Sequence, residues 1–195
     1  MTTADDRAAA FLTAITYLRI ALTPVVMALV IAETDPSWAR PAAVVLFWLA
    51  AVTDFFDGRL ARRWKQTSAL GNFLDTTADK LLVSGVLIAL VDVGHASIWV
   101  AFIIIGRELL IMGLRGVVAS EGAAMSPSIW GKAKAWVQFI AILIAIWWPD
   151  IQIGGMALGS LALWIAAAVT IASAVEYLAR FRGVLTQGDT ASRER

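Results

Sequence analysis

The chain has 195 residues, 59% of them hydrophobic and 16% charged, with a mean hydropathy of +0.75. Soluble globular domains are about 45–50% apolar, so the excess excludes an ordinary soluble domain and points to an integral membrane protein. The net charge of +1 is uninformative as a total, no nucleic-acid partner is expected, and the lack of cysteine excludes disulfides and thiolate metal sites.

The first ten residues, MTTADDRAAA, are polar. The apolar run after them lacks a small-residue cleavage site and contains Arg19, so a retained first span is expected rather than a signal peptide. A bilayer core takes about 20 mainly apolar residues per helix. Windows of that kind occur at 12–31, 41–62, 72–91, 98–118, 132–148 and 155–181. Only helices satisfy their own backbone over such lengths in lipid. The expected class is therefore all-α, a polytopic membrane protein with six transmembrane helices. Residues 1–182 form one membrane domain, and 183–195 are expected to be a mobile polar tail.

The turns divide into two sets. ETDPSWARP, VDVGHAS and WWPDIQIGG hold one basic residue, Arg40. RRWKQTSALG, SEGAAMSPSIWGK and the termini hold Arg62, Arg63, Lys65, Lys132, Arg180, Arg182, Arg193 and Arg195. The positive-inside rule puts the second set and both termini in the cytoplasm, and the even number of spans agrees. Trp38, Trp99, Trp147 and Trp148 fall near the outer ends of spans, where interfacial anchoring explains them.

Between the second and third spans lies TDFFDGRLARRWKQTSALGNFLDTTADK. Asp54, Asp57, Gly58 and Ala61 line one helical face, and Gly71, Asp75 and Asp79 line another. A short cytoplasmic turn makes the two spans antiparallel neighbours, so the stripes bring four carboxylates to one point just inside the membrane. Such a cluster cannot stay ionised without cations. Oxygen donors without His or Cys favour a hard ion, Mg²⁺ or Mn²⁺. A pair of ions would suit phosphoryl transfer. The small residues leave room for a bulky ligand against the backbone. A solvated edge of Asp paired with Arg59, Arg62, Arg63 and Lys80 is the plainer alternative.

These residues carry a resemblance. Asp54-x2-Asp57-Gly58-x2-Ala61-Arg62-x8-Gly71-x3-Asp75-x3-Asp79 resembles the complete signature of the CDP-alcohol phosphotransferase family. That resemblance implies a six-helix membrane enzyme, a homodimer, with a dinuclear metal site. Its members bind a CDP-linked alcohol, usually CDP-diacylglycerol. A second alcohol attacks the phosphorus nearer the lipid and CMP leaves. By the same resemblance Asp54, Asp57, Asp75 and Asp79 are metal ligands, and Asp79 is also the general base. Gly58, Ala61, Arg62 and Gly71, with Asp54, hold the cytidine and its phosphates. The site faces the cytoplasm from the cell (inner) membrane. The single histidine, His95, falls in an outer turn on the wrong side for catalysis.

The acceptor is read outside the signature. IIIGRELLIMGLRG carries Arg107, Glu108 and Arg115; SIWGKAKAWVQF carries Lys132, Lys134 and Gln138. Arg107, Arg115, Lys132 and Lys134 are candidates for holding a second anionic group such as a phosphate. Anchoring and snorkelling, or a structural ion pair at Arg107, are the competing readings. These segments, with Thr16, Arg19 and Pro24, resemble the family branch whose acceptor is glycerol 3-phosphate; Gly116 and Ala135 depart from its pattern. The expected product is phosphatidylglycerol phosphate. The alternatives are the branch that makes cardiolipin with phosphatidylglycerol as acceptor, and the branch that uses inositol phosphate. Outside the enzymes, the rival is a divalent-cation transporter. It is disfavoured because the acids cluster at one edge rather than at the midplane of repeated halves. A lipid-binding scaffold with a dead site is disfavoured by the intact Asp set.

Overall fold

The computed structural model describes the backbone of residues 3–32, 37–64, 69–120 and 129–193. Within these it describes the side chains of 13–32, 37–53, 71, 73–74, 76–120, 131 and 133–180. Among the described residues there are six helices: α1 (Thr3–Ile31), α2 (Ala39–Trp64), α3 (Ala69–Asp92), α4 (Ile98–Ser120), α5 (Ile129–Trp147) and α6 (Leu158–Arg193). A short antiparallel hairpin, β1 (Gln152–Ile153) with β2 (Met156–Ala157), joins α5 to α6. The all-α class expected from the sequence holds.

The middle windows match the helices to within three residues; the outer two do not. α1 begins at Thr3, because the segment from there to Pro24 contains no glycine or proline and is rich in Ala. At the other end, Gly154 and Gly155 adopt φ of 61° and 82° and make the hairpin turn, which delays α6 to Leu158. α6 then continues to Arg193, through most of the segment expected as a tail. Between α3 and α4, Gly94 at φ 78° closes the chain. Ser97 caps α4 by accepting a hydrogen bond from the Trp99 amide at 3.3 Å.

The helices pack in a ring of order α1–α2–α5–α6–α4–α3, with α3 also reaching across to α5. Side chains from all six, among them Val26, Phe47, Leu87, Ile104, Ile142 and Leu163, make one continuous core. Glycine sets the closest approaches. A β-carbon on Gly85 would lie 2.8 Å from Met27 Sδ of α1. One on Gly159 would lie 2.6 Å from the backbone of Ala145 on α5. α2 and α3 meet as expected of antiparallel neighbours, but over few positions; α1 and α5 each contact both.

The outside of the bundle carries many large apolar side chains. Val45, Ile88, Phe102, Leu109, Ile140, Ile165 and Val175 are all exposed. Among the described residues, two helical stretches are long and apolar enough to cross a membrane, Thr13–Ile31 and Leu158–Arg180. Only 28% and 33% of their apolar windows are buried, so they are not core helices of a soluble bundle. Trp38, Trp99, Trp147 and Trp148 are exposed at the end where α1 stops and α2, α4 and α6 start, in agreement with interfacial anchoring. These features fit a membrane protein.

Candidate active site

A cavity of about 350 Å³ opens among α2, α3, α4 and α5. Most of its wall is apolar; Phe47 of α2 stacks on Phe139 of α5 with centroids 5.1 Å apart. The polar members of the wall are Asp79 and Lys80 from α3, Glu108 from α4, and Lys134 and Gln138 from α5. Each sits well inside its helix. The side chains are carried inward by helices whose other faces are apolar.

The charges are organised around Glu108. Lys134 Nζ donates to Glu108 Oε1, and Arg107 Nη1 lies 3.4 Å from the same oxygen. The three side chains are only 8–10% exposed, so each charge needs a partner within the protein. Arg107 also donates from Nη2 to Ser173 Oγ of α6 at 2.9 Å. Lys80 Nζ donates to the Thr76 carbonyl at 3.3 Å.

A polar seam runs beside the cavity between α4 and α6. Arg115 Nε donates to the Tyr177 hydroxyl at 2.7 Å, and its guanidinium lies 5.3 Å from the centre of the Tyr177 ring. Thr170, Ser173 and Tyr177 follow at helical spacing on α6 and are all buried. On α1, Arg19 is 2% exposed and its Nε donates to the Ala50 carbonyl of α2 at 3.2 Å. That latch sits one helical turn before Asp54.

The sequence-derived site residues are distributed as follows. Asp79 is half-buried on the cavity wall. Asp54, Asp57, Gly58, Ala61 and Arg62 lie on the last three turns of α2, and Gly71 and Asp75 on the first two of α3. The side chains of Asp54, Asp57, Ala61, Arg62, Asp75 and Lys132 lie outside the described residues. Lys134 lines the cavity, whereas Arg107 and Arg115 engage α6. Sequence reasoning missed the Lys134–Glu108 pair, the Arg19 latch, and the parts played by Ser173 and Tyr177. A lone polar side chain inside an apolar helix was the available signal for each. The chemistry expected of the four Asp, oxygen donors without His or Cys, is that of a site for a hard divalent cation. Asp79, the one of them whose side chain is described, lines the cavity, and His95 sits at the opposite end, in the turn between α3 and α4.

Comparison with known proteins agrees with this architecture. The family model for CDP-alcohol phosphatidyltransferase matches residues 12–172. A Bacillus subtilis protein named CDP-diacylglycerol–glycerol-3-phosphate 3-phosphatidyltransferase is 36% identical over 179 residues, covering 85% of this chain and 92% of its own length. Proteins of the same name from Sodalis glossinidius and Escherichia coli are 42% and 40% identical. The first covers 72% of this chain and 79% of its own length, the second 76% and 83%. With the match running from within α1, through α2 to α5, into the first half of α6, the chain belongs to the CDP-alcohol phosphatidyltransferase family.

Proposed function

We propose that the chain transfers the phosphatidyl group of CDP-diacylglycerol to glycerol 3-phosphate, giving phosphatidylglycerol phosphate and CMP. The observation that carries the reading is the cavity wall. Asp79 stands there with a buried Glu108–Lys134 pair, on helices next to and including those that bear the full signature. The names borne by relatives at 36–42% identity support the choice of acceptor.

In the reaction, the C1 hydroxyl oxygen of glycerol 3-phosphate bonds to the lipid-side phosphorus. The bond from that phosphorus to the CMP oxygen breaks, and CMP carries away the electron pair. Asp79 takes the hydroxyl proton. The acceptor seated in the cavity would displace water, which would otherwise compete as the nucleophile. Gly58, Ala61, Arg62 and Gly71, with Asp54, receive the cytidine diphosphate portion. Arg107, Arg115, Lys132 and Lys134 supply positive charge for the acceptor phosphate. Arg115 suits that task because Tyr177 holds its Nε, which leaves both terminal amino groups for a bidentate contact. Asp54, Asp57, Asp75 and Asp79 would hold two Mg²⁺ or Mn²⁺ ions, which neutralise the diphosphate and ease the departure of CMP.

The same reading makes all six helices membrane spans, with both termini and the site on the cytoplasmic side of the cell membrane and a homodimer as the assembly. The basic residues at one end of the bundle and their scarcity at the other support the orientation. An acceptor screen tests the function. Purified protein with CDP-diacylglycerol and Mg²⁺ or Mn²⁺ is given glycerol 3-phosphate, phosphatidylglycerol, inositol phosphate or serine. CMP release with glycerol 3-phosphate is the expected result, and release with only another acceptor overturns it.

A further inference from the structure

Two ammonium groups border the cavity, Lys134 of α5 and Lys80 of α3, and the second has no part in the reaction proposed above. Lys134 meets Glu108 directly. Lys80 has no carboxylate within ion-pairing distance among the described residues. Its Nζ donates to the Thr76 carbonyl at 3.3 Å, one turn back, and that carbonyl already serves the helical ladder. Asp79 and Lys80 both line the cavity, but consecutive positions on a helix do not face each other, so the two do not pair. Anchoring at the membrane surface does not account for the charge. Lys80 lies eleven residues beyond Ala69, where α3 starts, or about 16 Å along the axis. A half-buried cation with no acid against it favours an anion in the space it faces.

The position of Lys80 selects the anion. The acceptor phosphate has the cations of α4 and α5. The phosphorus under attack must lie beside the hydroxyl whose proton Asp79 takes. The Asp79 and Lys80 Cα atoms are about 3.8 Å apart, so the Lys80 stem starts from the wall nearest that phosphorus. We infer that Lys80 is a further catalytic residue, its ammonium donating to a non-bridging oxygen of the lipid-side phosphorus. The inference rests on phosphatidyl transfer with Asp79 as the base, and not on which alcohol attacks. As the acceptor oxygen bonds to phosphorus and the CMP oxygen leaves, negative charge builds on the oxygens around phosphorus. A cation fixed there binds that arrangement more tightly than it binds the resting diphosphate. Lys80 keeps its proton throughout; the hydroxyl proton goes to Asp79 and the electron pair of the broken bond goes to CMP.

The test measures CMP release by the full-length protein in detergent. Lys80→Met keeps an unbranched stem and removes the charge. It should lower kcat by roughly 100–1,000-fold, the worth of one donor to a developing oxyanion, with both KM values changed less than about threefold. Lys80→Arg restores a cation and should recover at least about tenfold of that loss. Lys80→Gln repeats the first substitution should the Met variant fail to fold. Contact with the phosphorus is read with the two diastereomers of CDP-diacylglycerol that carry sulfur in place of one non-bridging oxygen on the lipid-side phosphorus. Lys80→Met should shrink the oxygen-over-sulfur rate ratio for one diastereomer and leave the other as in wild type. An unchanged kcat overturns the inference. So does a rise confined to the KM of the acceptor, which would make Lys80 a ligand of the acceptor phosphate, and so does a kcat loss with both sulfur ratios unchanged, which would make its role structural. Asp79→Asn separates the two readings. Normal turnover in Lys80→Met beside an inactive Asp79→Asn overturns this inference alone, whereas normal turnover in Asp79→Asn overturns the base assignment on which it stands.

Discussion

Replacing Glu108 by Gln removes one negative charge from between two buried cations. Arg107 Nη1 lies 3.4 Å from Glu108 Oε1, and at an effective dielectric of about 20 that separation corresponds to about 5 kcal/mol of attraction. Lys134 makes a second, direct contact with the same oxygen. The attraction is offset by the cost of holding the ions out of water. The net penalty for stripping one partner from a buried pair is about 3–5 kcal/mol, chiefly the stranded cation. For a chain of this size that lowers Tm by about 6–20 °C. Thermal unfolding in detergent, run as a cycle with Lys134→Met and the double variant, isolates the pair. The double variant should be more stable than the sum of the singles predicts, by about 1–3 kcal/mol. A coupling below about 0.5 kcal/mol would refute the reasoning, because Glu108 and Lys134 would then not be each other's partners.

Asp79→Asn should abolish CMP release from CDP-diacylglycerol while the melting profile stays cooperative; undiminished turnover rules out its role as the base. Arg115→Ala should raise the KM for glycerol 3-phosphate by roughly 10–100-fold, the worth of a charge-assisted contact, with a smaller change for CDP-diacylglycerol. If both KM values hold, Arg115 serves only to tie α4 to Tyr177. Gly159→Ala forces a β-carbon to 2.6 Å from the Ala145 backbone and should cost about 1–3 kcal/mol, seen as a lower Tm; an unchanged Tm would mean α5 and α6 are not so close. The chain has no cysteine, so single cysteines introduced at Gln152 and Ser192 report topology cleanly. An impermeant maleimide applied to intact cells should label the first and not the second, and the opposite pattern reverses the orientation.

The sequence made the helices legible because apolar runs of membrane length are interrupted only by polar, Gly- or Pro-bearing turns. It was least informative at the ends of the chain. A helix that leaves lipid can continue in water wherever no residue breaks it, so Thr3 and Arg193 are not marked by hydropathy. The hairpin at 152–157 rests on two glycines at positive φ, a local signal too short for any hydropathy window. The Asp stripes were legible as spacing within each helix. The contacts of Lys134 with Glu108, Arg107 with Ser173 and Arg115 with Tyr177 span 26, 66 and 62 residues. Such pairings depend on the order of helices around the ring, which no periodicity along one helix encodes.

The ring order divides the molecule into two halves that mirror one another in connectivity. α1 touches both α2 and α3, and α6 touches both α5 and α4. The cavity lined by Asp79 lies between them, walled by α2 and α3 on one side and α4 and α5 on the other. The N-terminal trio brings the acidic signature and the C-terminal trio the basic groups assigned to the acceptor. On the assignment proposed above, a nascent chain stalled after α3 would own only the donor-side chemistry, and a fragment starting at α4 only the acceptor-side chemistry. Neither would then be an enzyme until the two trios dock, so catalytic competence would itself report that assembly in the bilayer is complete.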